Sequence, residues 1–122
     1  MVKGEAMTIF CYPRCSTCAK AVAYLEAKGL TYTYRDIKLE RPSKEELTSF
    51  YQRSGLELRR FFNTSGLLYR SMELKNKLGS LSEDEMLELL ARDGMLVKRP
   101  LLVTETSVLV GFDEKKWEAL LS

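Results

Sequence analysis

The spacing of apolar and polar positions changes period several times along the chain, and each change marks a new element. Met7-Thr8-Ile9-Phe10-Cys11 is a short, mostly apolar run that predicts a buried strand. Ala19 to Lys28 predicts a helix that Gly29 ends. Thr31 to Ile37 is rich in aromatic and β-branched residues and predicts a second strand. After Pro42, Ser43 is a candidate N-cap with Glu46 at the capping-box position, and the helix it opens should run to about Arg53 and stop at Ser54-Gly55. Residues 56–80 predict short helical pieces broken at Thr64-Ser65-Gly66 and at Gly79. Ser82 and Glu85 repeat the capping box, and Met86, Leu87, Leu89 and Leu90 give the following helix an apolar face that ends at Asp93-Gly94. Pro100 to Val103 and Ser107 to Val110 predict a hairpin around Glu105-Thr106. Asp113 then caps a final helix with Trp117, Leu120 and Leu121 on one side.

The resulting order is β-α-β, a helical block over about 43–94, then β-β-α. The first two strands should be parallel, joined by a right-handed crossover, and the last two should form an antiparallel pair. Residues 7–122 are expected to make one domain, because 122 residues suffice for a single core. Residues 1–6 carry no pattern and are expected to be an N-terminal extension. A hydrophobic content of 45% with 30% charged residues is that of an ordinary globular chain. The net charge of +2, with no run of Lys or Arg, gives no reason to expect direct nucleic-acid binding. No apolar stretch is long enough to span a bilayer, and the N-terminus lacks the apolar segment of a secretory signal. The expectation is a cytoplasmic monomer.

Chemistry is concentrated in Cys11-Tyr12-Pro13-Arg14-Cys15-Ser16-Thr17-Cys18, which holds all three cysteines of the chain. Cys15 and Cys18 form a C-x-x-C pair on the turn from the first strand into the first helix. That turn brings the first sulfur to a helix N-terminus, where free N–H groups and the macrodipole favour an anion. Because the thiolate is the nucleophile, Cys15 is the candidate nucleophile, and Cys18, one turn along, can close a disulfide with it. A zinc site would normally need four Cys or His ligands, and the chain has three cysteines and no histidine. A structural disulfide across two residues closes too short a loop to stabilise much. Cys11, within the strand, is expected to be a buried and inert thiol. A C-x-x-C at such a turn, within this element order, predicts an α/β thioredoxin-like fold of the glutaredoxin type with an all-helical insertion between its halves.

With these elements in place, the chain resembles the arsenate reductase-like proteins related to glutaredoxin, a family that includes the Spx and MgsR regulators. The resemblance covers roughly Met7 to Leu121. It rests on Tyr12-Pro13-Arg14-Cys15-Ser16-Thr17-Cys18, Pro42-Ser43-Lys44-Glu45-Glu46-Leu47, Phe61-Phe62-Asn63-Thr64-Ser65-Gly66, Asp93 to Pro100 and Val110-Gly111-Phe112. It implies that Cys15 is the nucleophile. It further implies that Arg99 stabilises the thiolate or an oxyanion, and that Pro100 forms a cis peptide facing the cysteine loop. Arg14 is a second candidate for the electrostatic role. Ser16 and Thr17 are candidates for anion contact at the helix N-terminus, with ordinary turn and cap roles as the alternative.

Two departures bear on function. Dedicated arsenate reductases of this type draw their resolving thiol from glutathione, whereas Cys18 is a built-in partner here. They also hold the oxyanion with an arginine in the helical insertion, at a position that Asn63 occupies here. Arg59 and Arg60 lie three or four residues earlier, where a solvated helix face is expected. Asn cannot replace the bidentate contact of a guanidinium. The resemblance therefore implies a thiol-dependent oxidoreductase in which Cys15 and Cys18 reduce a disulfide or oxyanion. No metal or organic cofactor is implied, and glutathione, glutaredoxin or thioredoxin would be the external reductant. A Spx-like redox regulator that binds the RNA polymerase α subunit, with Gly55 near a contact glycine of such regulators, is the alternative. A glutaredoxin-coupled arsenate reductase is a second alternative.

Overall fold

In the computed structural model, which describes residues 6–121, four strands form one mixed sheet in the order β2-β1-β3-β4. The expected extension over residues 1–6 lies almost wholly outside the described residues. Strand β1 (Met7–Cys11) pairs in parallel with β2 (Thr33–Asp36) and antiparallel with β3 (Leu101–Thr104), and β3 pairs antiparallel with β4 (Val108–Val110). Helix α1 (Ser16–Ala27) connects the parallel pair. Helices α2 (Lys44–Ser54), α3 (Leu67–Ser71), α4 (Leu74–Lys77) and α5 (Glu83–Arg92) fill the connection from β2 to β3, and α6 (Glu114–Leu121) closes the order. This is the thioredoxin-like α/β architecture with a helical insertion.

Alternation along the central strands splits the core into two layers, because successive side chains of a strand point to opposite faces. Phe10, Leu101 and Val103 face the insertion and pack with Phe50, Phe61 and Leu90. Met7, Ile9, Cys11 and Leu102 face the other way, onto Cys18, Ala21 and Leu25 of α1 and Trp117 and Leu121 of α6. The three α1 residues recur at intervals of three and four, which gives this short helix one buried stripe.

Both capping boxes form. Ser43 Oγ accepts from the Glu46 N–H while the Glu46 carboxylate accepts from the Ser43 N–H, and Ser82 and Glu85 do the same. Gly55 ends α2 in the left-handed conformation at φ 71°. Arg35 joins β2 to the insertion: its guanidinium pairs with Glu46, donates to the Glu40 and Arg41 carbonyls and lies 4.5 Å from the centroid of the Phe10 ring.

Three boundaries differ from expectation. Helix α1 begins at Ser16, three residues earlier than predicted, because Cys15 takes the N-cap position and its Sγ accepts the Cys18 N–H at 3.4 Å. Strand β2 is shorter than Thr31 to Ile37: its ladder with β1 covers Thr33–Asp36, and a last bond from the Ile37 N–H to the Cys11 carbonyl closes it. The insertion has a further break at Glu73, which sits at φ 52° between α3 and α4.

Candidate active site

The cysteine loop is held from beneath and from two sides. The Cys15 N–H donates to the Tyr12 carbonyl at 3.0 Å, and the Ala19 N–H donates to the Cys15 carbonyl at 3.1 Å. Cys15 is thus locked between a turn and the first helical bond, and its sulfur receives the Cys18 amide. Cys18 lies one turn inward and is 2% exposed, whereas Cys15 is only partly covered. All three cysteines are free thiols in this structure.

Cys11 is fully buried, as a core strand residue should be, but it is not isolated. It lies in the same buried layer as Cys18, and its neighbouring thiol is the largest influence that draws Cys18 below the ordinary thiol range, to about 6. The Tyr12 N–H, 3.5 Å from the Cys18 sulfur, the Cys15 side chain and the positive charge of Arg99 act in the same direction, against the cost of burial. The nearby Cys18 side chain, then burial, drives Cys11 far upward. Cys11 is thus buried as expected and its thiol is held well above the ordinary range, next to the inner sulfur of the C-x-x-C.

Cys15 opens into a cleft of about 920 Å³. The floor comes from the segment before β3, where the Arg99–Pro100 peptide is cis. Pro100 is buried behind the wall, and its carbonyl accepts the Gly111 N–H at 2.8 Å. Arg99 is half-buried, with its guanidinium 5.4 Å from the Tyr12 ring centroid and Nη1 donating to the Met95 and Val97 carbonyls. Its Nε is the buried side-chain polar atom that has no partner among the described residues, which leaves a donor for an anion.

The insertion reaches the same cleft through a short backbone clasp. Phe62 and Val97 form an isolated antiparallel bridge, the Asn63 N–H donates to the Leu96 carbonyl, and the Lys98 N–H donates to the Phe61 carbonyl, both at 2.8 Å. That clasp sets Asn63 and Arg60 across from Arg99 and Cys15 on the cleft wall. The Asn63 side-chain oxygen accepts from Ser65 Oγ at 3.3 Å.

Of the residues singled out in the sequence, Cys15, Thr17, Asn63 and Arg99 line the cleft, Cys18 lies under it and Pro100 behind it. Arg14, on the loop, and Ser16, the first residue of α1, are exposed and do not line it. Arg60, expected on a solvated face, does line it while staying exposed. Lys38, Lys98 and Lys116, which carried no signal in the sequence, line it as well. No three His, Cys, Asp or Glu side chains among the described residues are grouped so as to hold a metal ion. No helix among them is long and apolar enough to cross a membrane.

The cysteine loop, cis proline and clasped insertion form a pattern whose family match spans residues 10–120. The chain belongs to the ArsC family. It is 51% identical over 113 residues to the YusI protein of Bacillus subtilis, covering 93% of this chain and 96% of that one. It is also 25% identical over 109 residues to the regulatory protein MgsR of the same organism, covering 89% of this chain and 85% of MgsR. Among solved structures, an ArsC family related protein from Bacteroides fragilis superposes with a TM-score of 0.91 at 46% identity, covering 93% of this chain and 96% of that one. The arsenate reductase from Vibrio cholerae superposes with a TM-score of 0.85 at 27% identity, covering 96% and 98%. This ArsC-family chain is thus similar both to an arsenate reductase and to a regulatory protein.

Proposed function

We propose that this ArsC-family protein is a thiol-dependent oxidoreductase that works through Cys15 and Cys18. The observation that carries the reading is the graded placement of the two sulfurs: Cys15 at the mouth of the cleft on the helix N-cap, and Cys18 buried one turn below with its amide on the Cys15 sulfur. The Cys15 thiolate attacks one sulfur of a substrate disulfide, forming a Cys15 mixed disulfide and releasing the other sulfur as a thiolate that takes up a proton. Cys18 then attacks the Cys15 sulfur, releasing the second substrate thiol and leaving a Cys15–Cys18 disulfide. Two electrons have passed from the protein to the substrate. An external thiol such as glutathione, glutaredoxin or thioredoxin returns them. The ionised form of Cys18 is the one that resolves, and the neighbouring Cys11 thiol, the Tyr12 N–H and the Arg99 charge favour it.

The test is turnover of a small disulfide with glutathione and with thioredoxin as reductants, compared between the native protein and Cys15→Ser. Retained turnover in Cys15→Ser would end the reading. Cys18→Ser should accumulate the mixed disulfide, detectable by intact mass.

A redox-sensing regulator is the second reading, favoured by the similarity to MgsR and by the exposed, uncrowded Gly55 at the end of α2. Capture of the RNA polymerase α subunit by one redox form and not the other would support it. Arsenate reduction is the third, suggested by the Vibrio cholerae likeness. Asn63 lacks the guanidinium fork, and Arg60 on the same wall is the residue that could stand in for it. Arsenate turnover that is lost in Arg60→Ala would favour this assignment.

A further inference from the structure

The walls of the cleft concentrate positive charge: five cations and two carboxylates line it, in a chain whose net charge is +2. Lys38, Arg60, the adjacent pair Lys98 and Arg99, and Lys116 line it from four separate segments of the chain. The ion pairs among the described residues lie elsewhere, and none involves these five side chains. The two carboxylates on the cleft wall are turned to other work. Asp93 accepts the Met95 N–H at 2.9 Å, and Asp113 accepts the Lys115 N–H at 3.1 Å at the start of α6. The five cations still outnumber the two carboxylates, so the lining of the cleft into which Cys15 opens is net positive.

Two further features narrow what such a field would hold. The cleft, at about 920 Å³, lies at the upper end of the range for drug-sized ligands and is far larger than a tetrahedral oxyanion. Its rim also carries Leu67, which is 80% exposed, with Leu68, Met95 and Phe112 nearby on the lining. A small anion has no use for an apolar rim. A polypeptide with acidic residues and an apolar side chain next to its cysteine can use both the cations and the rim.

We infer that the cleft recognises an oxidised polypeptide whose disulfide-bonded cysteine is flanked by Asp or Glu, with Lys38, Arg60, Lys98 and Lys116 reading the acidic flanks. The inference rests on the oxidoreductase reading for the reaction that follows binding, but the recognition can be measured separately. The chemistry is the exchange already written: Cys15 takes one sulfur of the polypeptide disulfide, Cys18 frees it, and the polypeptide leaves with two thiols.

The test uses the full chain and three synthetic peptides that differ only in the residues beside one cysteine: glutamates, lysines or serines. With the cysteine S-methylated, calorimetric titration reads binding without any redox step. With the cysteine as a mixed disulfide to a chromogenic thiol, the release of that thiol reads reduction. The acidic peptide is expected to bind and react about tenfold or more better than the serine peptide at low salt, and the lysine peptide worse than either. The advantage should shrink in about 0.5 M salt, where screening is strong. Arg60→Glu with Lys98→Glu should reverse the order of the acidic and basic peptides. Equal binding of the three peptides would overturn the inference, and equal reduction alongside it would leave the oxidoreductase reading intact. A clear acidic preference in binding with no reduction would uphold the recognition and remove the reaction.

Discussion

Replacing Cys11 with Ala removes the neighbouring thiol that most strongly favours the Cys18 thiolate. The Tyr12 N–H, the Cys15 side chain and the Arg99 charge all remain. A hydrogen bond to a charged acceptor contributes about 1.5–3 kcal/mol, and a thiol is a weak donor, so the lower end applies. One pKa unit corresponds to about 1.4 kcal/mol. Cys18, held at about 6 in the native protein, should therefore move to about 7 or slightly above in the variant. The assay is thiolate absorbance near 240 nm against pH, with Cys15→Ser as the common background so that only the buried thiols titrate. The Cys15→Ser protein, which also lacks the Cys15 thiol's downward influence, should show one inflection below the ordinary thiol value, with Cys11 silent through neutral pH. The Cys15→Ser/Cys11→Ala protein should show that inflection displaced upward. An unchanged inflection would refute the argument, since Cys18 would then owe its ionisation to the backbone and Arg99 alone. Circular dichroism of both proteins checks that the buried methyl-for-thiol exchange leaves the fold in place.

Stability should follow the same proton. Cys18 is depressed in the folded state, so its contribution is complete above the unfolded thiol value of about 8.5 and fades as pH falls toward 6. Urea midpoints should rise across that window, by up to roughly 3 kcal/mol in unfolding free energy, and Cys11→Ala should flatten the rise. A rise of equal size in the variant would count against the influence of Cys11. Gly94→Ala should cost about 3 kcal/mol or more, because an added Cβ would stand 1.7 Å from the Ile37 carbonyl oxygen in a region that is buried. A change below about 1 kcal/mol in chemical denaturation would show that this contact yields easily. Ser43→Ala and Ser82→Ala should each lower stability by about 1 kcal/mol through loss of a capping box, and Ser43→Asp should recover most of its loss. Thermal melts of the single variants decide it.

The elements that follow local rules were legible in the sequence. Both capping boxes, the hairpin around Glu105-Thr106 and the parallel first pair of strands could be read because a few neighbouring residues specify them. The start of α1 was not, since Cys is not among the usual capping side chains, and its role at Cys15 depends on the turn made by Tyr12. The break at Glu73 was missed for a similar reason: a left-handed glutamate has no glycine or asparagine to announce it. The cysteine pair and Arg99 stood out by motif. The cleft's other cations did not, because Lys38, Arg60, Lys98 and Lys116 are scattered along the chain and converge only through the clasp between Phe62 and Val97 and the turn into α6. The partnership of Cys11 with Cys18 likewise depends on how α1 packs on β1, which no spacing rule encodes.

The two-layer core places the sulfurs and much of their surroundings on separate foundations. Cys11 and Cys18 are embedded with α1 and α6, whereas Arg60 and Asn63 ride on the layer built around Phe10, Phe61 and Phe62. Lineages could therefore rewrite the charges of the insertion, and with them the preferred client, without retuning the thiol pair. One reactive centre can in this way be inherited unchanged by proteins that answer to different molecules.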